Sequence, residues 1–441
     1  MPSKFGSGSI YALYALFLAI EIYISGFLER TDTTPLLLAY SGLFLLYLYI
    51  IKRQHSISRD VLIFIVLTRG CLLFFEPNLS DDFYRFIWDG RLMHEGIDPF
   101  LMSPKELIHS HIEVVGITDE LYAQLNSQNY FTIYPPISQL IFMIGVSIFP
   151  NHIDGSILII KLIIILADFG TIYLLFLMLQ HSKHRIRWVL VYALNPLVII
   201  ELTGNLHFEA IVICFLLAGI LCLTQKKWFW AAISLGLSIA TKLIPLMLLP
   251  GLIRKFNIKT LLLIYMVIGI VTIGIFLLAF DPIFVLGMTE SLELFFQKFE
   301  FNSGIFFLLR EIGFVIHGYD IIAQLGPALA LTAIEFILIY ALLSERKNNS
   351  IPLIFVTILF IQLSLATTVH PWYIIPMLAM GCLCNLWFPV VWSFLIFLTY
   401  SGYDTNGFDH PYQIMTIEYI IVLPMAIIEL FSAHKFQLLN K

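Results

Sequence analysis

Charge is scarce in this chain: only 12% of its 441 residues are Asp, Glu, Lys or Arg, and 59% are hydrophobic. Soluble domains carry about twice that charged share, so a water-soluble globular protein is excluded. Cysteine is also sparse. All five, Cys71, Cys214, Cys222, Cys382 and Cys384, sit inside apolar runs, where they read as small core hydrophobes and not as a disulfide or metal framework. No metal-ligand spacing occurs, and Cys382-Leu383-Cys384 lies in a span. The net charge of −5 and the lack of a basic arm argue against a nucleic-acid partner. Linkers, low-complexity tracts and a nucleotide-binding signature are missing as well, so residues 1–441 read as a single membrane domain.

What the chain does have is apolar length. Runs of about 17–25 apolar residues recur from end to end, the signature of a polytopic helical membrane protein. They lack the polar–apolar alternation of a β-barrel. The expected fold is all-α, with about 13 transmembrane helices. The first run, Ser9 to Phe27, is long for a signal peptide and has no strongly basic start, so it reads as a retained span. Basic clusters mark the cytoplasmic side: Lys52-Arg53, His181 to Arg187, Lys226-Lys227, Arg254-Lys255 and Arg346-Lys347. Between them lie acidic or aromatic segments at 77–135, 201–209, 281–302, 367–373 and 400–412. This pattern predicts a cytoplasmic N-terminus, three spans over 8–76, a long extracytoplasmic loop over 77–135 and the remaining spans over 136–441. The run 136–149 is short and reads as a half-depth or re-entrant helix. The Pro-broken runs after Lys242 and after His370-Pro371 are expected to face protein or a water-filled cavity.

The 77–135 loop opens on Ser80-Asp81-Asp82-Phe83-Tyr84-Arg85-Phe86-Ile87-Trp88-Asp89-Gly90-Arg91. So many charges at the edge of a bilayer are costly unless they have a function. Ser80 is the expected N-cap, with Asp81 and Asp82 in the first turn and Gly96 and Pro99 closing the helix. Phe83, Phe86 and Ile87 form one apolar face suited to lying in the interface. Ser103-Pro104-Lys105-Glu106 reads as a capping box opening a second helix. Acids at a helix start suit its dipole by themselves. The sharper reading makes one of them a general base, kept ionised by the dipole and by Arg85. Asp89 and Arg91 read as an ion pair that fixes the loop, and Tyr84 and Trp88 as interface anchors or a stacking platform for a sugar ring.

The run Asp81 to Arg91, followed by Gly96-Ile97-Asp98-Pro99-Phe100, resembles the first-loop signature of GT-C glycosyltransferases. It is most similar to that of bacterial mannosyltransferases that use polyprenyl-phosphate sugars, akin to GPI mannosyltransferase I. Further matches follow in order: Tyr134-Pro135-Pro136, Asn195-Pro196-Leu197, Gly204-Asn205-Leu206-His207-Phe208-Glu209, and Lys242-Leu243-Ile244-Pro245 with Pro250. Phe299-Glu300-Phe301-Asn302 and His370-Pro371-Trp372-Tyr373 complete the set. Each is weak alone; the ordered set, from about residue 80 to 375, is fairly specific. Two features depart from the family pattern. A hairpin of two spans precedes the acidic loop, and the family's glycine–histidine pair becomes Gly204-Asn205 with His207 two positions on.

The resemblance implies a hexose donor, mannose by preference, on a polyprenyl or dolichyl phosphate that enters from the bilayer. The loop carboxylate, Asp81 ranked slightly above Asp82, would deprotonate an acceptor hydroxyl for one inverting displacement. No nucleotide diphosphate takes part, so the chemistry demands no metal or other cofactor. The leaving lipid phosphate needs positive charge or hydrogen-bond donors. Lys242 is the first candidate, with His370 and Arg85 behind it; otherwise Lys242 snorkels to the headgroups and His370 caps the helix before Pro371. Asn205, His207 and Glu209 would bind acceptor hydroxyls or close their helix. Arg85, Trp88, Asp89, Arg91, Tyr134, Asn302, Trp372 and Tyr373 complete the expected substrate-binding set. The acceptor could be a glycolipid, a lipid-linked glycan, a protein or a carotenoid, and the setting a bacterial inner membrane with the site on its outer face.

Two rival readings compete. A secondary transporter would place ionisable residues near mid-bilayer, and Lys161 and Asp168, on one helical face, are candidates. The polar residues here gather at one surface instead. An O-antigen ligase or polymerase would carry its long outer loop late in the chain and rely on Arg and His; here the long loop is early and acidic.

Overall fold

The computed structural model describes residues 7–54, 56–110, 112–181, 185–282, 284–343 and 350–439. The basic residues at 183, 184, 346 and 347, used above to orient the chain, lie outside them. Two 21-residue apolar runs form the N-terminal hairpin, α1 (Ser7–Phe27) and α2 (Thr33–Arg53). Their turn is fixed by the Asp32 carboxylate, which accepts from the Glu29 amide at 3.0 Å. The third run departs from expectation. It is helical for only 12 residues, α3 (Arg59–Gly70), started by Ser58, whose side chain accepts from the Val61 amide.

The long loop then builds α4 (Asp82–His94), α5 (Pro104–His109) and α6 (Asp119–Ala123). The start of α4 falls one residue later than expected, with Asp81 at the cap position. A capping side chain must reach the second or third helical amide, and Ser80 Oγ reaches only that of Asp82, at 3.4 Å. Gly96 ends the helix at φ +75°, a conformation open to glycine without steric cost. The capping box of α5 forms: Ser103 Oγ accepts from the Glu106 amide at 3.3 Å, and Glu106 Oε2 accepts from the Ser103 amide at 2.8 Å.

α4 does not lie in the interface with one face outward; nine of its 13 residues are buried. Its other side is covered by α7 (Pro136–Ile148). Gly90 permits that approach, because a Cβ there would stand 2.7 Å from the Phe142 carbonyl oxygen. With 13 residues, α7 is about 20 Å long, well short of the ~30 Å hydrocarbon core. α8 (Ile153–Leu179) has full spanning length at 27 residues. It also accounts for the two buried charges weighed for a transporter, each of which has its own structural partner. Lys161 Nζ donates to the carbonyls of Leu72 and Phe75, at 2.8 and 2.6 Å, where the chain unwinds beyond α3. Asp168 accepts from Arg69 and from the Tyr192 hydroxyl, both at 2.9 Å.

α9 (Arg187–Ala193) and α10 (Pro196–Val198), which runs on as a π-helical turn to Gly204, form a pair bent by 45° at Asn195-Pro196. α11 (Glu209–Thr224) and α12 (Trp228–Thr241) follow as a short hairpin, then a 3-10 segment over Ile244–Leu252. α13 (Ile258–Ala279), α14 (Phe284–Gln297), α15 (Gly304–His317), α16 (Ile322–Leu343) and α17 (Ile351–Leu365) lead to a 3-10 turn, Pro371–Ile374. That turn starts α18 (Ile375–Cys384). α19 (Phe388–Leu395) continues as 3-10 to Gly402, and α20 (Tyr412–Leu439) ends the chain. Between them Tyr403–Asp404 (β1) pairs antiparallel with Gly407–Phe408 (β2), the one sheet among the described residues. Among the described residues, six helices are long and apolar enough to cross a membrane by length and composition, seven with the bent pair as one span, and six more are shorter apolar helices. The expectation of about 13 crossings gave those short helices the weight of spans.

Candidate functional site

Loops from the first, second and last thirds of the chain converge at one end of the helices around a cavity of about 310 Å³. Both acids of the long loop line it. Asp81, 37% exposed, forms an ion pair with Arg30 from the α1–α2 turn. The Arg30 guanidinium also lies 5.0 Å from the ring centre of Tyr403. Asp82 is more lightly held: its Oδ1 accepts from Asn126 Nδ2 at 2.9 Å.

Arg85 lines the same cavity but does not pair with these acids. Its Nε donates to Asp89 Oδ1 at 2.7 Å, and its Nη1 to the Tyr130 carbonyl at 2.9 Å. The other Asp89 oxygen accepts from Thr132 Oγ1 and Gln139 Nε2, at 2.6 and 2.9 Å. The expected Asp89–Arg91 pair is therefore replaced by Asp89–Arg85. Residues four apart share a helix face, whereas residues two apart do not. Arg91 turns to the Gly116 carbonyl and fastens the far half of the loop.

The second set of lining residues is basic and aromatic. Lys242, where the chain leaves α12, forms an ion pair with Glu209, the first residue of α11, and lies 5.2 Å from the ring centre of Tyr373. His207 Nε2 is 3.2 Å from Glu201 Oε2 in the π-helical turn. Glu201 also accepts from Asn205 Nδ2 at 3.1 Å and from the Tyr400 hydroxyl at 3.0 Å. Of this motif His207 and Phe208 reach the cavity; Asn205 sits behind the wall, where its Oδ1 accepts from the Leu79 amide at 3.4 Å. His207, Trp372, His370 and Phe301 form one continuous stack, with centroid separations of 3.6, 4.4 and 4.6 Å. Imidazoles cover both faces of Trp372, so only its edge is available to a ligand. Burial, with His207 and Lys242 nearby, lowers the pKa of His370 to about 3, which leaves a neutral ring at physiological pH. Tyr134 also lines the cavity; burial and then the charges of Asp82 and Asp89 push its phenol well above the ordinary value, so it remains a donor.

Several expected binders stand outside the cavity. Trp88 is fully buried against Tyr122 and offers no platform to a sugar. Asp89 and Arg91 act within the loop, as described. Asn302 is buried at φ +46°, its Nδ2 3.2 Å from both oxygens of Glu418, while its carbonyl accepts from the Tyr419 hydroxyl at 2.6 Å. It anchors a wall of the cavity, in which the Phe301 amide donates to the Thr367 carbonyl at 3.1 Å and the Val369 amide to the Phe301 carbonyl at 2.7 Å. Glu209 reaches the cavity only through Lys242. Sequence reasoning missed Arg30, Asn126, Tyr400 and Tyr403. Among the described residues, no group of three or more His, Cys, Asp or Glu is arranged to hold a metal ion.

A family model described as "Alpha-(1->6)-mannopyranosyltransferase, N-terminal domain" matches residues 20–256, more than half of the chain. The match includes the acidic loop, the His207 turn and Lys242, and it ends before Phe301, the His370 turn and Tyr403. No curated protein sequence matches the chain. Among solved structures, ArnT from Cupriavidus metallidurans, bound to undecaprenyl phosphate, is similar at 16% identity and a TM-score of 0.42. That alignment covers 87% of this chain and 75% of ArnT.

Proposed function

From the chain's membership of the alpha-(1->6)-mannopyranosyltransferase family, we propose that it moves mannose from a polyprenyl-phosphate-linked donor to an acceptor hydroxyl. The protein is a membrane glycosyltransferase. The reading beyond that has Asp82 as general base and the reaction at the outer face of the membrane. The observation that carries it is the single cavity shared by two unequal carboxylates, Asp81 bound to Arg30 and Asp82 held, among the described residues, by Asn126 alone, and by the cation Lys242. That inequality reverses the order in which the two acids rank on sequence grounds.

In this mechanism the Asp82 carboxylate accepts the proton of the acceptor hydroxyl as the acceptor oxygen bonds to the anomeric carbon. The bond from that carbon to the phosphate oxygen breaks, and its electron pair leaves with the lipid phosphate. One displacement inverts the anomeric centre. The departing phosphate gains a negative charge, which preorganised donors stabilise in a site shielded from water. Lys242 supplies a cation and the neutral His370 and Tyr134 supply donors; Asp82 then releases its proton to water. A polyprenyl carrier suits a cavity whose walls are continuous with membrane-length helices, because the lipid tail can stay in the bilayer while the sugar phosphate enters.

The test is transfer of radiolabelled mannose from a short-chain polyprenyl-phosphate mannose to a membrane extract, with purified wild type, Asp81→Asn and Asp82→Asn side by side. Label should reach a new product with wild type, fall by about 10²–10⁴ with Asp82→Asn, and persist at an intermediate level with Asp81→Asn. Full activity of Asp82→Asn would remove it from the role of base. Silence of the wild type with every polyprenyl-phosphate sugar tried would remove this donor class.

A further inference from the structure

Asp81 and Asp82 are neighbours in the chain, so their Cα atoms are about 3.8 Å apart. Adjacent carboxylates carry like charges that repel each other, a poor arrangement beside a base. The structure contains a device that removes this conflict. Arg30 pairs with Asp81 and not with Asp82. It is also fixed from several directions. Asn78 Nδ2 donates to the carbonyls of Ile24 (2.6 Å) and Leu28, tying the end of α1 to the stretch just before Asp81. On its other side the guanidinium rests on Tyr403, which packs on Phe408 with ring centres 4.8 Å apart in the β1–β2 hairpin.

We infer that Arg30 is a positioning residue that engages Asp81 and so leaves the Asp82 carboxylate to take the acceptor proton. The inference rests on the reading of Asp82 as base. It gives a role to two segments that the acidic-loop motif does not include, the α1–α2 turn and the hairpin at 403–408. The charged and titratable groups around the acid pair are Arg30, Glu76, Tyr84, Arg85 and Asp89, with Tyr130, Tyr134, Glu201, Tyr373, Tyr400 and Tyr403 from the other walls. His207, Lys242 and His370 line the cavity elsewhere. Of the three cations, Arg85 is committed to Asp89 and Lys242 to Glu209, so Arg30 is the one that compensates Asp81.

The test is the pH dependence of kcat/KM for mannose transfer from the radiolabelled polyprenyl-phosphate donor, measured on the full-length chain in detergent. Removing Arg30 leaves Asp81 as an uncompensated negative neighbour of the base, which moves the acid limb to higher pH. Arg30→Gln should shift that limb upward by about one unit; Arg30→Lys should leave it near the wild-type position. The double variant Arg30→Gln/Asp81→Asn should bring it back, since the like charge is gone. A purely structural role for Arg30 would lower activity without moving the limb, and that result would overturn the inference. So would a double variant whose limb stays displaced. If Arg30→Gln does not fold, Tyr403→Leu frees the guanidinium from its ring and should shift the limb the same way by less; no shift overturns the inference. Transfer that survives Asp82→Asn sinks both readings, whereas its loss together with an unmoved Arg30→Gln limb sinks this one alone.

Discussion

Lys242 Nζ is bound to Glu209 Oε1, 33 residues earlier in the chain, and lies over the ring of Tyr373. The Glu209 side chain is 2% exposed and that of Lys242 is 20% exposed, so the carboxylate lies behind the lysine and the lysine faces the cavity. An ammonium has three donors, and one bond to Glu209 leaves the others for an incoming anion. A buried carboxylate at the start of α11, where the helix dipole favours it, thereby holds a cation toward the cavity; under the proposed reaction that cation meets the leaving phosphate.

Lys242→Met is therefore expected to lower kcat for donor consumption by about 10²–10³, with the acceptor KM unchanged. Initial rates over a matrix of donor and acceptor concentrations check this. A change confined to acceptor KM would take Lys242 out of the phosphate role.

The buried Asp89 accepts from Arg85, Thr132 and Gln139, and the four hold α4 to the chain entering α7. Asp89→Ala leaves the 4%-exposed Arg85 side chain charged and without its carboxylate. Breaking one side of such a buried pair costs about 3–5 kcal/mol. The thermal midpoint in detergent should fall by several degrees in Asp89→Ala, and transfer should fall with it, since Arg85 and Tyr130 line the cavity. An unchanged midpoint would mean that the network does not hold the loop.

Gly90 gives an independent test of the same contact. With the Phe142 carbonyl oxygen 2.7 Å from its would-be Cβ, Gly90→Val forces α4 and α7 apart. Overpacking of this kind costs about 1–3 kcal/mol. Loss of stability is expected without loss of the pH profile, because no titrating group is touched. A thermal melt and a kcat/KM profile on the same preparation separate the two effects.

How much of this was legible beforehand depends on the range of each interaction. The helix start near Asp81, the α5 capping box and the broken runs after Lys242 and His370 are local events, encoded in a few neighbouring residues and readable from them. The choice of Asp89 as partner for Arg85 was readable too, since the four-residue spacing is fixed by the helix. Arg30 with Asp81, Asn302 with Glu418 and Trp372 between two histidines join segments 51, 116 and more than 160 residues apart. Nothing in the local pattern of one chain specifies such pairings. The same holds for α4, whose apolar face suggested a lipid surface because the sequence does not show that α7 covers it.

Glu300 provides a pH-dependent test outside the chemistry. Its Oε1 accepts from Arg310 Nη1 at 2.6 Å and lies 3.4 Å from His410 Nε2. Burial alone would raise its pKa, but hydrogen bonds from His410 and Arg310, with their charges, overcome this and hold it below the ordinary 4.5. A carboxyl depressed in the fold and ordinary in the unfolded chain contributes stability that is fully present above 4.5. That contribution is lost as the pH falls below 4.5 through the folded value. The wild type should melt above Glu300→Gln at pH 6, and the two midpoints should converge as the pH drops below 4.5. Because Phe299 and Phe301 on either side of Glu300 line the cavity, the lost anchor should also loosen the wall beside His370. Parallel melting curves across the whole range would show that the cluster contributes nothing to holding that wall, which would leave it to the pairing of Phe301 with Thr367 and Val369 and to the bonds of Asn302 with Glu418 and Tyr419.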